Sequence, residues 1–200
     1  MNLISGDISI DSGNILLDNI NVTRLPTFKR ASLISRVFQD PLLGSYADLS
    51  IEENLSIAYS RGEKRSLKNA LDAKSRALFQ ERLAEIGIGL ENRLQDKMGL
   101  LSGGQRQAVS LIMATLLPSK ILLLDEHTAA LDPKMEGLIL DLTQKLINEK
   151  KLTALMITHS MSQALEYGSR TLVMHHGKIV YDLKDTERTK LQANDLVAFF

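Results

Sequence analysis

Two short apolar runs, Ile121-Leu122-Leu123-Leu124 and Ala154-Leu155-Met156-Ile157, stand between stretches whose apolar residues recur at helical spacing. Strands that are apolar throughout are buried on both faces, and strands separated by helices pair in parallel. This combination restricts the chain to an α/β architecture with a parallel sheet covered by helices. Ligands bind such sheets at the carboxyl ends of the strands. Chemistry is therefore expected just after residues 124 and 157.

The rest of the chain arranges itself around that core. Helices are expected from Ser102, from Pro133 and, shorter, from Ser160, followed by strands at residues 171–174 and 179–181. Nearer the start, residues 7–10 and 15–22 flank the turn residues Asp11-Ser12-Gly13-Asn14, the pattern of an antiparallel hairpin. A third strand candidate at residues 33–38 runs into Gln39-Asp40-Pro41. In Ser50-Ile51-Glu52-Glu53 a serine hydroxyl and a glutamate three residues on can cap each other's backbone amides, so a helix should start there. Residues 60–77 are dense in Arg, Lys and Ser, after which Leu78, Phe79, Leu83 and Ile86 recur at helical spacing. One domain is expected over residues 1–200: a β hairpin region and strand over 1–40, a helical lobe over 41–101, and an α/β core over 102–200.

Composition narrows the function classes. Two hundred residues with 44% hydrophobic content suffice for a buried core, and 24 basic residues balance 24 acidic ones. No overall field draws such a chain to nucleic acid or to anionic lipid, so no nucleic-acid partner is expected. Cysteine is absent, which removes disulfides, thiolate metal sites and cysteine nucleophiles together. No apolar run approaches the roughly 20 residues needed to span a bilayer, and the N-terminus lacks the pattern of a signal peptide. A soluble, cytoplasmic protein is expected, reaching a membrane only through another protein.

The strongest local signal is Leu101-Ser102-Gly103-Gly104-Gln105 at the start of a helix. Ser102 and Gln105 have capping-box spacing, and the paired glycines let backbone amides approach a ligand. The pattern suits either an ordinary capped helix or an anion site at a helix N-terminus. Further on, Asp125 and Glu126 end a buried strand, where charge is expensive unless it has work or a partner. Adjacent carboxylates can divide two tasks, Asp125 holding a magnesium ion through water and Glu126 polarising an attacking water; a strand ending in a polar turn would look the same. Asp132-Pro133 then reads as an N-cap followed by a first helical residue. Ile157-Thr158-His159 sets a histidine at the end of the next strand, beside the carboxylate strand if the order is sequential.

Taken in order, these motifs closely resemble the ATP-binding-cassette family over essentially the whole chain. Gln39 matches the Q-loop, Leu101, Ser102, Gly103, Gly104 and Gln105 the signature motif, and residues 121–125 the Walker B strand. Glu126 matches the catalytic glutamate, Asp132 the end of the D-loop and His159 the switch histidine. The resemblance implies a P-loop NTPase-like core with an antiparallel hairpin and an inserted helical lobe. It also implies ATP and Mg2+ as cofactors, with Asp125 and Gln39 at the metal and Gln39, Asp132 and the signature residues at the nucleotide. Two such domains would close face to face on ATP, each nucleotide held by one domain's phosphate loop and the other's signature motif. Transmembrane permease subunits would be moved by that closure, contacting the Q-loop and the lobe over about residues 39–100. The likeness is nearest to ATPases of bacterial importers with a separate solute-binding protein, which implies a place on the inner face of the cell membrane.

One element of the family pattern is missing: no G-x-x-x-x-G-K-[ST] string occurs in the 200 residues, and residues 1–6 look like the tail of the helix that follows it. By the resemblance, the strand feeding that loop would be central in the sheet, beside the strand carrying Asp125. Residues 1–200 alone are thus expected to bind ATP weakly and to aggregate through unpaired strand edges. A non-hydrolysing partner that lends only its signature motif is an alternative. A DNA-repair or chromosome ATPase is another, although those chains carry long heptad coiled coils and this one has none. His127 and Ala129 stand where the family often has proline and serine.

Overall fold

The computed structural model describes residues 1–62 and 71–197. Residues 1–156 and 157–200 form two compact units. In the first unit, α1 (Asn2–Ser5) ends at Gly6 in the left-handed conformation, φ 88°. The hairpin follows as β1 (Leu16–Leu17) and β2 (Ile20–Asn21), then α2 (Thr27–Arg30) and β3 (Ile34–Val37). The helical lobe contributes α3 (Ile51–Tyr59) and α4 (Ala73–Ala84); α5 (Gly103–Thr115), β4 (Ile121–Asp125), α6 (Pro133–Lys150) and β5 (Thr153–Ile157) complete the layered core. Helix α7 (Met161–Glu166), strands β6 (Arg170–His175) and β7 (Lys178–Lys184), and helices α8 (Asp185–Arg188) and α9 (Ala193–Val197) follow.

Local capping chemistry sets most helix starts where the sequence predicts them. Ser50 and Ser102 each form a reciprocal box, with Glu53 and Gln105 respectively, while Asp132 caps α6 and Ser160 caps α7. The hairpin is different. Residues 15–22 are broken by a turn at Asp18-Asn19, with φ 46° and 64°, and residues 7–10 form no strand. Asp and Asn tolerate the left-handed region that a two-residue hairpin turn requires, so the reversal falls there and not at residues 11–14. The charged stretch expected at residues 60–77 lies partly outside the described residues.

The sheet runs β3-β4-β5, with β3 and β4 parallel and Arg36 opposite Leu123, Val37 opposite Leu124. Side chains alternate between its faces. Val37, Leu122 and Leu124 face a core that includes Ile51 and Leu55 of α3, Phe79 and Leu83 of α4, Leu111 and Ile112 of α5, and Ile139 of α6. Arg36, Leu123 and Asp125 project from the opposite face. Strand β4 is flanked on both sides, which corrects the expectation that the place beside it belongs to a further strand. As an edge strand β5 is less buried than β4, with Ala154 exposed and Leu155 and Met156 half-buried. Strands β6 and β7 pair antiparallel in a separate sheet, because His176-Gly177, at φ 46° and 75°, is a connection too short for a parallel crossover. In the second unit the buried Arg188 donates to the carbonyls of Leu165, Tyr167 and Gly168 and to the Thr171 hydroxyl, closing the end of α7.

Candidate functional site

Strands β3 and β4 end side by side and deliver Gln39 and Glu126 to the same place, where the Gln39 Nε2 amide donates to Glu126 Oε2 at 3.1 Å. The amide oxygen of Gln39 is left as a cation donor. Glu126 sits at φ 45°. A non-glycine residue in that region costs on the order of 1–3 kcal/mol and persists where the surroundings over-determine it, most often at functional sites. Next to it, Asp125 Oδ2 accepts from Arg36 Nη2 at 2.5 Å.

The loop after β4 is anchored by a residue whose role the sequence does not reveal. His127 is only 2% exposed, and its Nε2 lies 3.2 Å from Thr143 Oγ1 on α6. The Thr143 hydroxyl donates its own proton to the Ile139 carbonyl at 2.7 Å, so it accepts from His127, which makes Nε2 the protonated nitrogen. Burial disfavours the charged ring and pushes its pKa down to about 4. Unfolded, the same group titrates near 6.5, so between these values the unfolded chain binds more protons and stability falls as pH falls. We expect a contribution of about 3 kcal/mol, intact above pH 6.5 and lost progressively toward pH 4. Denaturant unfolding across that range should show a steeper loss in the wild type than in His127→Gln, which keeps an amide donor for Thr143 but does not titrate.

At the start of α5 the capping box occupies the amides of Ser102 and Gln105, at 3.1 and 3.2 Å. The amides of Gly103 and Gly104 fall in the first turn, where no intrahelical carbonyl is available. Ser102 and Gly103 are exposed, and a Cβ at Gly103 would meet nothing within 4 Å. Gly104 is constrained instead: a Cβ there would lie 2.9 Å from Met135 Cγ, so glycine permits α5 to pack against α6 just after its N-cap, Asp132. This open helix N-terminus fits an anion such as a phosphate. Leu101 is buried beneath it. Among the described residues no group of three or more His, Cys, Asp or Glu is placed to hold a metal. Asp125 and Gln39 still fit magnesium, which is bound by one or two protein oxygens when phosphates and waters supply the rest.

His159 lies in the second unit, on a turn in which Thr158 Oγ1 accepts from the Ser160 amide at 3.0 Å and donates to Gln163 Oε1 at 2.8 Å. That turn presents an exposed imidazole. Sequence reading missed Arg36. A charged residue among Ile34, Ser35 and Val37 was the available signal, since a strand charge is expensive without partners.

Comparison with known proteins agrees with this architecture. A family model described as ABC transporter matches residues 1–129. A tyrosine transport ATP-binding protein of Clostridioides difficile is 44% identical over the whole chain, which spans 79% of that protein. A thiamine import ATP-binding protein of Yersinia pseudotuberculosis is 34% identical over 91% of the chain and 72% of its own length. A solved dimeric ATP-binding cassette in a post-hydrolysis state, bound to ADP and Pi, superposes with a TM-score of 0.77 at 26% identity, over 92% of this chain and 78% of that one. With its motifs in order on the matching fold, the chain belongs to the ABC transporter family.

Proposed function

We propose that this protein is the ATP-hydrolysing subunit of a bacterial importer of small organic solutes. The observation that carries the reading is the hydrogen bond from Gln39 to Glu126, which joins the carboxylate after β4 to a loop leading straight into an exposed apolar surface. Relatives named for tyrosine and thiamine transport support an importer of small solutes. Magnesium bound with ATP would supply charge neutralisation at the transferred phosphate. Asp125 and Gln39 would hold that ion and Glu126 would accept the proton of the attacking water; for His159, on its own turn in the second unit, the role of switch histidine is proposed from the order of the motifs. The Gly103 and Gly104 amides and the Ser102 hydroxyl would meet nucleotide held by a second ATPase subunit, with Gln105 closing the capping box that shapes this turn, Leu101 supporting it and Asp132 near the shared face.

The apolar surface is the docking place for permease subunits in this reading. Leu42, Leu43 and Tyr46 are 45%, 71% and 60% exposed, and Leu100 is 74% exposed. The Gly99 amide donates to the Ala47 carbonyl at 2.9 Å, which brings Leu100 beside that loop. Buried Asn54 holds the loop in place, accepting from the Tyr46 amide and donating to the Tyr46 carbonyl at 2.8 and 3.0 Å. Among the described residues no helix is long and apolar enough to cross a membrane. Association through the permease, on the inner face, and work with a separate solute-binding protein complete the proposal. Leu43→Asp tests it: co-purification with the permease should fall about tenfold or more and transport with it, since a charge in a buried apolar contact costs several kcal/mol. The melting temperature of the subunit should not change. Unaltered co-purification and transport would remove the surface from the proposal.

A further inference from the structure

Arg36 occupies a position that the hydrolytic reading leaves unexplained. Its side chain is 13% exposed and lies between two carboxylates, Nη1 donating to Asp7 Oδ2 at 3.0 Å and Nη2 to Asp125 Oδ2 at 2.5 Å. The guanidinium carbon also sits 4.6 Å from the Phe38 ring centroid, and the buried Nε has no hydrogen-bond partner. A planar fork held on these sides has little freedom to leave. Register explains the meeting: Arg36 pairs with Leu123 on β4, so it projects from the same face as Asp125 two residues on. Asp7 arrives from the turn after α1 and accepts from the Ser5 hydroxyl at 2.6 Å.

We propose that Asp7, Arg36 and Asp125 form a triad of one net negative charge that sets the divalent-cation affinity of the site. The inference rests on the reading of Asp125 as the magnesium carboxylate. A guanidinium on one oxygen of Asp125 fixes the carboxylate's orientation and repels a second cation arriving at the other oxygen. Asp7 offsets that repulsion. The three groups together carry one net negative charge, the same as a lone aspartate, so Asp125 is held in place without forfeiting its attraction for the ion. Asp7, exposed and 29 residues from Arg36 in sequence, thereby becomes a determinant of metal affinity by offsetting the Arg36 charge.

Signs distinguish this from a purely structural ion pair. Asp7→Asn leaves Arg36 facing Asp125 alone and should weaken cation binding by about threefold, a modest effect because the group is partly screened. Arg36→Met removes the repulsion and should tighten binding by about tenfold while loosening Asp125. In the Arg36→Met background Asp7→Asn lowers the net negative charge from two back to one, so the double variant should return toward wild-type affinity, an outcome that a purely structural ion pair does not give.

The probe is Mn2+, titrated with and without ATP into a chain that includes a phosphate-binding loop ahead of Met1, and followed by the electron paramagnetic resonance signal of the free ion. Expected is the affinity order Arg36→Met, wild type, Asp7→Asn. Equal affinities in all three, or weaker binding by a folded Arg36→Met chain, would overturn the triad and leave the site reading standing. Uptake by neither wild type nor Arg36→Met would overturn the site reading itself, and the triad with it. Should Arg36→Met fail to fold, Asp7→Asn alone decides, because it alters one exposed carboxylate: an affinity equal to that of the wild type contradicts the proposal.

Discussion

Replacing Glu126 with glutamine, in a chain that includes a phosphate-binding loop ahead of Met1, is expected to lower ATP turnover by about 10²–10⁴-fold, the usual contribution of a general base. The substitution preserves shape. Glutamine offers the Gln39 amide a carbonyl oxygen where the carboxylate stood, so the 3.1 Å hydrogen bond can persist. The left-handed backbone at φ 45° is no harder for glutamine to adopt than for glutamate. Only basicity is removed. ATP should therefore still bind, and the variant should accumulate as an ATP-bound dimer visible by size-exclusion chromatography. Loss of ATP binding, with no trapped dimer, would instead assign Glu126 to holding the nucleotide and shift the base to another carboxylate.

The features legible in the sequence were those written in local chemistry. The capping boxes at Ser50 and Ser102 need only residues three apart, and the apolar run at residues 121–124 declares a buried strand whatever its neighbours are. The reversal at Asp18-Asn19 was obscured because the Asp11-Ser12-Gly13-Asn14 stretch offers equally good turn residues, and tertiary packing chose between them. Contacts distant in sequence were the least accessible. Asp7 with Arg36, and Arg36 with Asp125, meet only because register and sheet order bring them together. His127 reads as a departure from a family pattern until its burial and its bond to Thr143 are seen.

The central claim is that nucleotide is sandwiched between the carboxylate strand of one subunit and the signature motif of another. Each site of such a dimer combines Glu126 from one chain with Ser102 from its partner. The claim is tested most directly by mixing two inactive variants, Ser102→Arg and Glu126→Gln, each again carrying a phosphate-binding loop. Arginine at residue 102 removes the N-cap and places a bulky side chain where the open turn of α5 would meet phosphate. Alone, each variant loses both sites of its homodimer. In the mixed dimer one site pairs an intact Glu126 with an intact Ser102, while the other combines both defects. Random pairing in a twofold dimer gives about half mixed dimers with one working site of two, so roughly a quarter of wild-type turnover should return at equal ratio if the sites act independently. Recovery of that order would be the signature of composite sites, whereas a mixture as inactive as its components at every ratio would contradict the account.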